Sequence, residues 1–260
     1  MHQPVSPERR LAVATGGLLL LLAGVAWLEL GALPAMPGGA GPTAPAGAFL
    51  FLATWVVMTV AMMVPATLPV LLLHRIHAAS LGSGPLPTLM FLGGYLVVWS
   101  AAGIGALAAH GSATELTAAT GTSFSSAAWL VLVLTGLYQL TPLKAACLRA
   151  CRNPLTVLFE SGAGGGLRRE MLGGLRHGAW CLACCWPLMA VLLFVSFMNL
   201  AWMAVVTVIF LLEKNHRRGP VVARTAGALL VLLGIAGLVH PELLIWLSGG
   251  MSPTVMGGAN

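Results

Sequence analysis

Apolar residues run almost without interruption through six stretches of the chain, at approximately 11–33, 48–73, 87–110, 126–146, 175–197 and 220–240. Each is long enough to cross a bilayer as a helix, which needs roughly 20 residues. A seventh, shorter run at 200–213 follows the fifth with little more than Met198-Asn199 between them. The pattern predicts an all-α fold: a polytopic transmembrane helical bundle of about seven spans, forming a single integral membrane domain over 1–260. The sixth of these spans, about 21 Å at 1.5 Å per residue, is short or re-entrant. Between the runs, 34–47 is rich in Pro, Gly and Ala and 110–125 in Ser, Thr, Ala and Gly, and both read as loops. The connection 147–174, with Gly162-Ala163-Gly164-Gly165-Gly166, reads as a flexible loop between two cysteine-bearing helices.

Charge chooses between six and seven spans. If the chain turns near Met198-Asn199, alternate polar segments collect Arg9 and Arg10, then Arg75, then the group from Lys144 to Arg176, then Lys214 to Arg224, which together are all 13 Lys and Arg residues. The opposite segments collect none. The positive-inside rule makes the basic side cytoplasmic, with the N-terminus inside and the C-terminus outside, as expected of a bacterial cytoplasmic (inner) membrane protein. Arg9-Arg10 before an apolar run imitates a signal peptide, but that run exceeds the usual apolar region of one and reads as a retained helix.

Composition agrees: 58% hydrophobic and 8% charged residues leave no polar surface to cover a soluble core. The mean hydropathy is +0.92. A net charge of +6 and a pI near 9.6 arise from the basic rim and imply contact with anionic lipid head groups, not with nucleic acid.

Candidate chemistry lies in sulfur. Cys181, Cys185 and Met189 stand at i, i+4 and i+8 on one helix face, with Cys184 a turn from Cys181. Met58, Met62 and Met63 precede Pro65, whose ring frees a backbone carbonyl. Cys147 and Cys151 share a face of the preceding cysteine helix. The expected topology puts all five cysteines and these three methionines in the cytoplasmic half, where persistent disulfides are rare. Reduced thiolates and thioethers suit Cu(I), and thiolates also suit zinc, so a transition metal is the expected cofactor with Cu(I) favoured. Accessory candidates are His74, His77, His177 and Lys144. The bland alternatives are that Met and Cys fill space, that the histidines solvate a membrane edge, and that Lys144 snorkels to the inner head groups. Glu213-Lys214 has the same two readings as Lys144, a functional buried charge or a local ion pair at a helix end.

Trp55-x-x-Met58-x-x-Ala61-Met62-Met63-x-Pro65, Tyr138-Gln139-Leu140-Thr141-Pro142-Leu143-Lys144-x-x-Cys147-x-x-x-Cys151, His177-Gly178-x-x-Cys181-x-x-Cys184-Cys185-Trp186 and Met198-Asn199-Leu200-x-Trp202-Met203 occur in that order. Together they resemble a bacterial domain-of-unknown-function family of predicted metal-binding integral membrane proteins, over about 48–240. The resemblance implies metal binding and neither a substrate nor a partner.

The leading expectation is an inner-membrane protein binding Cu(I), for transport or handling, served by a metal-delivering protein or a membrane complex. Cys181, Cys184 and Cys185 would be primary ligands, Cys147 and Cys151 second or alternative ligands, and Met58, Met62, Met63 and Met189 thioether ligands. A membrane thiol–disulfide oxidoreductase is the alternative, since Cys-x-x-Cys and a second cysteine pair can relay electrons. A non-catalytic scaffold is a third. Hydrolase chemistry has no support: the seven acids are all Glu, and no Ser/His/acid arrangement stands out, so no catalytic residue is assigned.

Overall fold

The computed structural model describes residues 7–32, 45–120, 124–153, 166–195 and 200–240. They form eight helices: α1 (Pro7–Ala32), α2 (Pro45–Ser80), α3 (Leu86–Thr120), α4 (Phe124–Leu140), α5 (Pro142–Arg152), α6 (Leu167–Val195), α7 (Leu200–Asn215) and α8 (Gly219–Val239). Five of them, α1, α2, α3, α6 and α8, are long and apolar enough to cross a membrane, and α4 with α5 makes a sixth such unit bent by 67°. The stretch expected as a short span is helix α7, whose 16 residues reach about 24 Å and which is not among those long enough to cross. Its flanking turn at Met198-Asn199 lies outside the described residues, as do 34–44, 154–165 and the C-terminal segment from 241, while both ends of the expected 147–174 loop are helical, since α5 runs to Arg152 and α6 begins at Leu167.

Outward-facing positions are apolar too. Leu21 and Leu28 on α1 are about 68% and 74% exposed, which a hydrocarbon solvent tolerates and water does not.

Two expectations are corrected. The stretch 110–125 is not a loop for most of its length, because α3 continues to Thr120. Alanine favours helix there, and the Ser112 hydroxyl bonds back to the Ala108 carbonyl instead of breaking the turn. The expected helix over 126–146 is also not continuous. Pro142 has no N–H to give α4, and Thr141 turns extended and caps α5, its hydroxyl accepting the Lys144 N–H at 3.2 Å. The bend swings Cys147 and Cys151 away from the axis of α4.

Close helix pairs rest on glycine. A side chain at Gly174 would run into the Phe91 backbone of α3, and one at Gly94 into Met171 of α6. Without a Cβ at either position the two backbones meet, as small residues allow between membrane helices. Gly136, Gly227 and Gly234 do the same for α4 and α8, and Gly237 makes room for the Trp129 ring.

Proline inside a helix leaves the carbonyl four residues back without its donor. For Pro65 that carbonyl is Ala61, and the Trp27 indole N–H of α1 bonds it at 3.2 Å. For Pro187 it is Ala183, and the Tyr138 hydroxyl of α4 bonds it at 2.7 Å. The two freed carbonyls thus become inter-helix ties rather than loosened backbone.

Candidate metal centre

The centre is assembled from α2, α3, α5, α6 and α7. On α6 the buried face carries Cys181, Cys184, Cys185 and Met189, all essentially inaccessible, while Trp180 and Trp186 face outward. This is the helical stripe that the spacing predicts. The Cys184 and Cys185 sulfurs are 3.3 Å apart. Cys151, brought in by α5, interacts through its side chain with Cys181 and Cys184. Cys181 interacts in turn with Cys184 and Cys185. Four thiols from two helices therefore meet at one buried place, and all five cysteines of the chain are free.

The sequence-predicted residues divide at this point. Cys151 lies within the thiol group rather than beside it, and Cys147 is buried one turn earlier on α5. Met63 is joined to the group through Lys214, whose Nζ is 3.8 Å from the Met63 sulfur. Met58, Met62 and Met189 are buried in the same core cluster. His74 is occupied elsewhere: Nε2 bonds Glu170 at 2.8 Å and Nδ1 bonds Thr88 at 3.1 Å. His77 is half-buried a turn further along α2.

His177, one turn before Cys181, is buried between Phe91 and Tyr95, and its Nε2 has no hydrogen-bond partner. It lines a cavity of about 580 Å³ together with Cys151, Lys214, Thr67 and Ile76. Burying an imidazole nitrogen unpartnered is costly unless a ligand visits it.

Lys144 does not snorkel. It is 1% exposed and forms an ion pair with Glu213 at 2.7 Å, its ammonium also donating to the Cys184 carbonyl at 2.5 Å. Gln139 donates to the other Glu213 oxygen at 2.9 Å. Of the two readings of Glu213-Lys214 the local pair falls away: Glu213 belongs to Lys144, and Lys214 turns to the sulfurs, 2.9 Å from Cys181 Sγ. Successive helix positions point about 100° apart, so neighbours in sequence serve different sites. Tyr95, which sequence reasoning missed, places its hydroxyl 3.0 Å from the same sulfur.

The donor set is soft. The buried carboxylates Glu170 and Glu213 are already engaged by His74 and by Lys144 and Gln139, which leaves thiols, a thioether and an imidazole nitrogen. Such donors fit a soft ion and not magnesium or calcium. Among the described residues no group of three or more His, Cys or acidic side chains is arranged to hold a metal ion. The thiols instead contact one another and the Lys214 ammonium.

No curated protein and no solved structure matches the chain. Residues 52–237 match the PpoB2 family, described as a copper chaperone, so the family shown is a copper-related one and not specifically a membrane family of unknown function. Most of the chain is covered, including every helix that contributes a thiol, and the protein belongs to the PpoB2 copper chaperone family.

Proposed function

We propose that this protein is a seven-span inner-membrane copper handler that binds Cu(I) at the thiol group and passes it on by ligand exchange. Cys151, Cys181, Cys184 and Cys185 are its primary ligands, with Met63 the nearest thioether. Cys147, Met58, Met62 and Met189 form an outer supply of sulfur. The observation that carries the reading is the meeting of four thiols from α5 and α6 in a buried core without a free carboxylate.

Thiolates hold Cu(I) tightly, yet two- and three-coordinate sites exchange one sulfur at a time, so a crowded sulfur group suits transfer. The cavity beside Cys151 and His177 is the access route from the basic, cytoplasmic end, where a donor protein would bring the ion. His177 Nε2 is its first protein ligand on that route.

The test is metal analysis of purified full-length protein reconstituted anaerobically with Cu(I). Replacing Cys181, Cys184 and Cys185 together by Ser should abolish stoichiometric copper while leaving the protein inserted, because Ser has nearly the size of Cys and is a poor soft ligand. Replacing Met62 and Met63 by Leu should weaken Cu(I) more than zinc. Unchanged copper in the triple variant would remove the proposal.

A further inference from the structure

The chain has only two lysines, and both are buried at this centre. Lys144 has a carboxylate, but the described bonds of Lys214 go to sulfur: Cys181 Sγ at 2.9 Å and Met63 Sδ at 3.8 Å. The Phe210 ring, its centroid 6.0 Å away, adds a weak cation–π contact. Thioether and thiol sulfur are poor acceptors, so a lysine ammonium gains little from them compared with water or a carboxylate. Its place is nonetheless well defined, lying between a sulfur of α2 and a sulfur of α6, where a soft ion bridging the two helices would sit. Lys214 also lines the 580 Å³ cavity, giving its long side chain somewhere to go.

We propose that Lys214 is a displaceable stand-in for the metal ion. In metal-free protein its ammonium fills the position between Cys181 and Met63. Copper binding expels it into the adjoining cavity, since two positive charges cannot share so short a space at low dielectric. Each thiol that ligates the ion as a thiolate also releases its proton, so the exchange of ammonium for copper is accompanied by proton release. That no group of His, Cys or acidic side chains among the described residues is arranged to hold a metal fits this arrangement, because Cys181 and Met63 stand beside an ammonium and not a metal. The proposal rests on copper binding at the thiol group.

Its test uses the wild-type protein, with Lys144 as internal control. Metal-free and Cu(I)-loaded protein in detergent are treated with a small amine-acylating reagent, and labelling at each lysine is followed by peptide mass spectrometry alongside copper content. Lys214 should be protected without copper and react at least roughly tenfold faster with it, as expected when a minor outward state becomes the main one. Lys144 should stay protected in both. Lys214 equally protected with one copper bound overturns the stand-in role and leaves the copper site intact, whereas failure to bind copper removes both. A comparable rise at Lys144 reports general loosening and also overturns the stand-in role.

Discussion

A single substitution at Glu213 would strand a charge. Its carboxylate accepts from Lys144 and Gln139 and is completely buried, so Glu213→Gln leaves the Lys144 ammonium uncompensated in an apolar bundle. Breaking a buried pair from one side costs about 3–5 kcal/mol, whereas replacing both partners by apolar groups costs far less. Glu213→Gln should therefore lower the unfolding midpoint in detergent much more than Lys144→Met combined with Glu213→Leu. Equal losses would show that the pair is incidental. The same ammonium holds the Cys184 carbonyl, so metal affinity should suffer in the double variant, which removes it. Lys144 was legible in the sequence as an unusual charge in an apolar helix; its partner, 69 residues away, was not.

At the scale of helices, proline is a joint between elements. Pro187 frees the Ala183 carbonyl and Tyr138 of α4 takes it, so Tyr138→Phe should cost about 1 kcal/mol, the net worth of an ordinary hydrogen bond. In a Pro187→Ala background the helix supplies its own donor to that carbonyl. The cost of Tyr138→Phe should then shrink, and a double-mutant cycle by denaturant unfolding reads the difference. Additive losses would mean that the hydroxyl contributes through packing alone. The break at Thr141-Pro142 has a plain local signature, a capping Thr before Pro, yet a continuous apolar run hid it. Hydropathy averages over a window and is insensitive to a missing N–H.

Across the whole molecule, charge gathers at one end. The Arg152 guanidinium of α5 donates to the Glu213 and His216 carbonyls at the end of α7, each at 2.8 Å, and His74 near the end of α2 pairs with Glu170 at the start of α6. Reporter fusions should find 147–174 and 214–219 in the cytoplasm, and 34–47 and 241–260 outside. The prediction rests on the segregation of every Lys and Arg to alternate segments. A cytoplasmic C-terminus would reject the seven-span reading and turn α7 into a re-entrant element.

The sequence alone determined the features set by neighbours along the chain: the apolar runs, the one-sided charge, and the sulfur stripe of Cys181, Cys185 and Met189. Those are properties of a local average or of a helical repeat, and they survive any packing. Tertiary structure decided which side chains meet. Met63 and Lys214 are 151 residues apart, and Tyr95 and Cys181 are 86 apart. No spacing rule connects them, because such contacts depend on how α2, α3, α6 and α7 dock. Glycine sets that docking at Gly94 and Gly174 by letting backbones touch, and a single Cβ there would move Tyr95 and the thiol helix apart. The sulfur residues were therefore legible in the sequence, while the ammonium beside Cys181 and Met63 was settled only by packing.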